Sequence, residues 1–404
     1  MSRFLRDKNI LLGLTGGIAC YKSAELARQL VREGARVFVL MSPAARQFIT
    51  PLTMQSLTGQ AVATDLFELS HELQIGHIRL ADLADAYLIA PATADVVGKL
   101  ACGQADDVVT TVALATRAPV LVAPSMNVNM YEHRLVQQNL ERLRTAGYRV
   151  IPPGEGELAC GWHGKGRLAE PAALLAEVER AVAPQDFAGE RVLVTAGPTR
   201  EFLDPVRFLT NRSSGKMGFE LAAAAWRRGA HVVLVAGPVA LPTPYGVERR
   251  DVVSAEDMFH AVEQEFPNST ILLMCAAVAD YRPAQRQATK LKKQNRGWSM
   301  GLEPTVDILA AVASHKGQQL VVGFAAETEN LEEAARAKLQ RKNLDLVVAN
   351  DVSRSDAGME ADFNAAVVLD RLGGRVELPR MPKADLADSV LDCIATFRKH
   401  VATV

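Results

Sequence analysis

Short apolar runs, each followed by a helix-patterned stretch, recur along this 404-residue chain, and the series begins twice. The first series has runs at 9–14, 36–40, 86–90 and 119–123, with a helix predicted over 24–33. The second has runs at 191–195, 231–236, 270–277, 319–324 and 344–349, with a helix predicted over 218–229. Apolar runs without polar alternation suit strands buried on both faces, and their alternation with helices suits βαβ units. The expected fold is α/β, with two Rossmann-like or flavodoxin-like three-layer domains and mainly parallel sheets.

An internal echo supports two related units: SAELARQLVREGARVFVLMSP at 23–43 resembles GFELAAAAWRRGAHVVLVAGP at 218–238. A helix from Pro171 ends in a polar linker, residues 181–190, so the predicted domains are 1–188 and 189–404. The length points the same way, because single cores stop growing beyond about 250–300 residues.

Composition narrows the function. A net charge of −1 gives no electrostatic footprint for nucleic acid or an anionic membrane, so small-molecule chemistry is favoured. No uncharged apolar run approaches the roughly 20 residues that cross a bilayer, and the N-terminus lacks the apolar core and cleavage site of a secretory signal. A cytoplasmic enzyme with no membrane association is expected. The five cysteines (Cys20, Cys102, Cys160, Cys275, Cys393) show no CxxC spacing, which argues against a disulfide framework or a zinc site. Any functional cysteine should be a reduced thiol.

The turn LTGGIA joins a predicted strand to a helix, so Gly16 and Gly17 could bring backbone N–H groups to a phosphate. A tight βα turn without a ligand reads the motif equally well. No acidic ribose-binding residue follows the next strand, where Ser42 stands, so a flavin phosphate fits better than NAD. Thr93 and Asp95 in PATAD sit at a strand's carboxyl edge, as do Met126 and Asn127 in PSMNVNMY. Taken singly, these are a helix cap and core methionines. His77 alone reads as a helix-end histidine, and Cys160 alone as an inert thiol.

In order, TGGIA, GHIRLADLAD, PATAD, PSMNVNMY and ACGWHGKG resemble the marks of the flavoprotein family of phosphopantothenoylcysteine decarboxylases, over about residues 9–167. The resemblance implies that Gly16, Gly17, Ser42, Thr93, Asp95 and Met126 line an FMN site shared between subunits of a homo-oligomer. It also implies that His77 and Asn127 face the substrate and that Cys160, on a glycine-rich flap at 152–166, donates the last proton. Two departures are Asp95, where many relatives carry Asn, and Tyr131, where many carry Trp.

The second half holds VTAGPTREFLDPVRFLTNRSSGKMG at 194–218, a long strand-to-helix loop without Walker A spacing. Loops of this length in a compact domain are usually functional, although Asn211 could simply be a cap. Farther on, Asp280, Lys290, Phe324, Lys338 and Lys342 fall near predicted strand ends. Lysine runs there are ordinarily solvated faces. Together the motifs are similar to phosphopantothenate-cysteine ligases of the bacterial, CTP-using type, over about residues 191–351.

That resemblance implies CTP contacts from Asp280, Lys290, Asp307, Ile308, Phe324, Lys338 and Lys342, with Mg²⁺ carried by the nucleotide and no protein ligand assigned. Lys290 would stabilise charge as 4'-phosphopantothenate attacks CTP, and Asn211 would position the acyl cytidylate for attack by cysteine. The stretch EPTVDI at 303–308 departs from the Asn-Pro-Asp-Ile pattern at Thr305 and Val306, while Asp307 and Ile308 match. Two other readings of the fold are a two-domain nicotinamide oxidoreductase and a non-catalytic flavin-binding regulator. The missing dinucleotide fingerprint disfavours the first, and the joint presence of His77, Asn127 and Cys160 the second.

Overall fold

A strand that is apolar at every position needs cover on both faces, and both halves of the chain provide it. The computed structural model describes residues 2–66, 76–157, 161–292, 298–327, 330–351 and 361–403. The chain divides into two units, Met1–Ala183 and Pro184–Val404.

The first unit runs β1 (Asn9–Leu14), α1 (Cys20–Arg32), β2 (Arg36–Met41), α2 (Pro51–Thr58), α3 (His77–Leu83), β3 (Ala86–Ala92), α4 (Ala94–Ala101), α5 (Val108–Ala115), β4 (Val120–Pro124), α6 (Val128–Glu132), α7 (Arg134–Thr145), β5 (Arg149–Val150), β6 (Gly154–Glu157), β7 (His163–Arg167) and α8 (Pro171–Val182). Its sheet is parallel in the order β2-β1-β3-β4-β5. Alternation along β1 feeds two cores. Leu12 and Leu14 pack with Leu26, Leu30 and Leu174 on one face. Leu11 packs with Tyr87, Val97, Val109 and Leu140 on the other.

The second unit runs β8 (Arg191–Ala196), β9 (Arg200–Phe202), β10 (Phe208–Thr210), α9 (Lys216–Arg227), β11 (His231–Ala236), β12 (Glu248–Asp251), α10 (Ala255–Glu265), β13 (Ile271–Met274), β14 (Tyr281–Pro283), β15 (Leu302–Pro304), α11 (Ile308–Ala313), β16 (Leu320–Glu327), α12 (Leu331–Arg341), β17 (Leu346–Asp351), β18 (Phe363–Asp370), β19 (Arg375–Pro382) and α13 (Lys383–Thr403). The sheet order is β12-β11-β8-β13-β16-β17-β18-β19. Its strands are parallel through β17, and β18 and β19 then add on antiparallel.

β14 pairs antiparallel with β15. Two features differ from the sequence expectation. The glycine-rich stretch at 152–166 contains a paired hairpin, β6 with β7. The antiparallel pair β18 and β19 lies beyond the last predicted run. Among the described residues, no helix is long and apolar enough to cross a membrane.

Each parallel sheet has a point where the chain, having left in one direction, returns to build in the other. It lies between β1 and β3 in the first unit and between β8 and β13 in the second. Open α/β sheets bind ligands at the carboxyl edge of that crevice.

Candidate active sites

In the first unit the crevice is held together by Thr15, which is fully buried at the end of β1. Its Oγ1 donates to the Pro91 carbonyl at 2.6 Å and accepts from the Thr93 N–H at 3.0 Å, so the turn after β1 is tied to the turn after β3. Gly16 packs so closely that a Cβ there would lie 2.5 Å from the Ala44 Cβ. At Gly17 an added Cβ would meet only Pro91 Cγ, at 3.7 Å, and the rest of its surroundings is cavity. That cavity measures about 850 Å³, and its lining includes Gly16, Gly17, Thr93, Met126 and Asn127.

Local chemistry places these groups. Thr93 caps α4 by accepting from the Val96 N–H, and Asn127 caps α6 by accepting from the Asn129 N–H at 2.8 Å. The hairpin β6–β7 is pinned to the same loop: the Met126 N–H donates to the Gly166 carbonyl at 3.0 Å. A Cβ on Gly166 would fall 2.3 Å from the Met126 carbonyl oxygen. Gly164 and Gly166 are thus explained by close approach, to Val128 and to the Met126 carbonyl.

Three other sequence-predicted residues do not line the cavity. Ser42 is buried, with its N–H donating to the Leu14 carbonyl and its Oγ accepting from the Ala45 N–H. Asp95 is exposed in the first turn of α4 and pairs with Lys99 at 3.2 Å. His77 is half-buried at the first position of α3. Cys160 lies outside the described residues. Sequence reasoning passed over Lys22, which lines the cavity and donates to Glu170 Oε1 at 2.8 Å and the Leu168 carbonyl at 3.2 Å. The signal was a lysine within the buried face of α1, beside Cys20 and Ser23.

In the second unit the crevice is a cleft of two lobes, about 450 Å³ and 350 Å³, that share Ala276, Val278, Asp280, Phe324 and Lys338 as lining. The first lobe takes in Asn211, whose Nδ2 donates to the Val278 carbonyl at 2.9 Å. The second takes in Asp307, Ile308 and Lys342. Lys338 Nζ donates to the Phe324 carbonyl at 2.6 Å, and Lys342 pairs with Asp307. Burial pushes the Lys342 ammonium below the ordinary lysine range, against the pull of Asp280.

Residues spread from Asn211 to Lys342 therefore meet at one sheet crevice. Lys290 is exposed and does not line either lobe, but the residue after it is anchored. The Leu291 N–H donates to Asp204 Oδ2 at 3.1 Å, and Arg207 donates to the Leu291 carbonyl at 3.0 Å. Burial pushes the Cys275 thiol up to about 12, so this lobe-lining cysteine is neutral near pH 7. Among the described residues, the Asn350 Oδ1 is buried without a hydrogen-bond partner in the same lobe. A polar ligand group is what such an atom lacks. Among the described residues, no three His, Cys, Asp or Glu side chains gather to hold a metal ion.

The flavoprotein family model matches residues 1–183, and the model for the DNA/pantothenate metabolism flavoprotein C-terminal domain matches 187–397. The coenzyme A biosynthesis bifunctional protein of Vibrio cholerae serotype O1 is 49% identical over 393 residues, covering 96% of this chain and 98% of that protein. The chain belongs to the coenzyme A biosynthesis bifunctional protein family. Like its relatives it is a bifunctional enzyme, with a phosphopantothenoylcysteine decarboxylase in the flavoprotein unit and a phosphopantothenate-cysteine ligase in the second.

Solved structures resemble each half of this family member. One is the C-terminal domain of a coenzyme A biosynthesis bifunctional protein, 42% identical, covering 54% of this chain and 99% of that chain, with a TM-score of 0.47. Another is a cysteine-to-serine mutant of PPC decarboxylase complexed with pantothenoylaminoethenethiol. It is 31% identical, covers 43% of this chain and 97% of that chain, and has a TM-score of 0.39.

Proposed function

We propose that the second unit uses CTP to convert 4'-phosphopantothenate to an acyl cytidylate and couples it to cysteine. The first unit, holding FMN at its β1/β3 crevice, then decarboxylates the 4'-phosphopantothenoylcysteine to 4'-phosphopantetheine. The observation that carries this reading is the convergence of distant motifs on one crevice in each sheet: Gly16, Thr93 and Asn127 in one, Asn211, Asp280 and Lys342 in the other.

The first cavity fits a flavin phosphate, because Gly17 leaves its backbone uncovered on the cavity side at the point where helix α1 begins. When bound, FMN supplies the two-electron oxidation of the substrate thiol and the returning reduction that bracket the loss of CO2. Asn127 presents its amide to the departing carboxylate. His77 moves the proton of the oxidation half, and Cys160 donates the proton of the reduction half. Ile18 and Tyr21 line the cavity yet remain 64% and 62% exposed, which suits a wall completed by a second copy of the chain in a homo-oligomer. His77 would serve the cavity of that neighbouring copy.

In the ligase cleft Lys338 and Lys342 offset triphosphate charge, and Lys290, outside both lobes, would have to swing in to join them. Asn211 orients the acyl cytidylate toward the amine of cysteine. Mg²⁺ carried in with CTP would offset triphosphate charge, and Asp280 and Asp307 are the carboxylates of the second lobe that would face it. The enzyme works in the cytoplasm on small molecules, with no nucleic acid or membrane partner.

Purified protein should be yellow and, given phosphopantothenate, cysteine, CTP and Mg²⁺, should release CMP and CO2. Failure to form CMP would remove the ligase assignment. A colourless preparation that cannot be reconstituted with FMN would remove the other.

A further inference from the structure

Lys290 stands outside both lobes of the ligase cleft, and the backbone on either side of it is held by a distant part of the chain. The Gln287 N–H donates to the Leu203 carbonyl at 2.8 Å, and the Leu291 N–H donates to Asp204 Oδ2 at 3.1 Å. Arg207 Nη1 reaches the same oxygen at 3.1 Å and the Leu291 carbonyl at 3.0 Å, so Leu291 is gripped through both its N–H and its C=O. The Arg286 guanidinium lies over the Phe202 ring, 5.3 Å from its centroid. Residues 286–291 are thus fastened to the tip of the β9–β10 hairpin at two points, and Lys290 lies between them.

That tip is also tied within itself. β9 and β10 pair antiparallel from Phe202 opposite Phe208 to Arg200 opposite Thr210, and the two phenylalanine rings meet edge to face with centroids 5.6 Å apart. Asp204, fully buried, divides its carboxylate between two tasks. Oδ1 accepts from the Val206 N–H at 2.8 Å and the Arg207 N–H at 2.9 Å and so builds the turn, whereas Oδ2 reaches across to Leu291. Bonds to an ionised acceptor are the stronger kind.

The base of the same hairpin runs into the cleft. Thr210 Oγ1 donates to the Thr199 carbonyl at 2.7 Å, and Asn211, the next residue, lines the first lobe with its Nδ2 on the Val278 carbonyl. One two-stranded frame therefore carries Asn211 at its base and holds the Lys290 segment at its tip. With Gln287 and Leu291 fixed, the reach of Lys290 into the cleft is left to residues 288–290 and to the lysine side chain, so the frame sets where the ammonium can arrive.

We propose that Asp204 is a positioning residue of the ligase reaction: through the Leu291 amide it fixes the place from which Lys290 meets the triphosphate. This assignment rests on the reading of Lys290 as the group that stabilises charge while the acyl cytidylate forms.

The test is a double-mutant cycle in the full-length protein, following CMP release with CTP, Mg²⁺, phosphopantothenate and cysteine. In Asp204→Asn one carboxylate oxygen becomes an N–H donor. The remaining oxygen stays with the two N–H groups of the turn, and the new donor then faces the Leu291 N–H and the Arg207 guanidinium, which releases the clamp. Because a misplacement of about 1 Å can cost about 100-fold, kcat should fall about 10- to 100-fold. KM for CTP should stay within about twofold, since Lys290 acts on charge that develops during the reaction. Lys290→Met should lower kcat at least as far, and adding Asp204→Asn to it should cost less than about a further twofold. An unchanged kcat in Asp204→Asn overturns the proposal. The same factor lost in both backgrounds also overturns it, because that pattern marks general damage rather than action through Lys290. The calorimetric transition of the second unit reports folding. If Asp204→Asn does not fold, Arg207→Met, which cuts the same clamp from its exposed side, takes its place in the cycle with the same two outcomes. Failure of the underlying reading looks different: Lys290→Met would release CMP at the full rate.

Discussion

Asp204 is fully buried and still charged. Burial alone would raise its pKa, but N–H donors from Val206, Leu291 and Arg207, together with the Arg207 guanidinium at 3.1 Å, outweigh it and hold the carboxyl below the usual aspartate range. A carboxyl depressed in the folded state stabilises it above the unfolded pKa, near 4, and loses that effect as pH falls through the lower folded value. Asp204→Asn should therefore lower the melting temperature of the second unit at pH 7, and the gap to the unaltered protein should narrow at pH 3. Melts at the two pH values check this, and an equal gap at both would dismiss the charged-carboxylate account. Residue roles of this kind were only partly legible. Asp204 stands inside a quoted motif, but nothing in the string says that it grips Leu291, beside Lys290. Lys383 carries no motif at all, and only the last helix of the fold brings it to the cleft. At Asp95, whose motif position suggests a cofactor contact, the fold adds an ion pair with Lys99 one helical turn on.

At the scale of elements, apolar runs translated directly into strands: β1 and β11 span the residues expected of them. The hairpin β6–β7 was harder to read, because glycine is depleted in strands and its reason here is a partner absent from the local sequence. At φ 148° and with the Met126 carbonyl in the way, Gly166 admits no side chain without displacing the hairpin. Gly166→Ala should cost more than about 1 kcal/mol locally. It should slow decarboxylation at least about tenfold while ligation proceeds at its normal rate. Separate assays of CO2 and CMP check this, and equal losses in both activities would count against a local role for the hairpin. The pair β18 and β19 escaped the βα rhythm altogether, since an antiparallel extension needs no crossover helix to announce it.

The whole molecule consists of two units with separate cores, so each ligand should stabilise its own unit. FMN at about 100 times its Kd should add about 2.7 kcal/mol to the first unit, a shift of ~5–10 °C for a unit of this size. CTP should move only the other transition. Calorimetry with each ligand in turn checks this, and a common shift of both transitions by either ligand would refute independent stabilisation. The eight-stranded sheet of the ligase unit also ends in a way that matters beyond catalysis. Its outermost strand, β19, carries Arg375, Glu377 and Arg380 along with Pro379 and Pro382, and the opposite edge, β12, reads Glu-Arg-Arg-Asp. Prolines offer no amide to a visiting chain, and charges of both signs resist dry stacking. The ligase sheet is thereby guarded at both margins against zipping into fibres with its own copies.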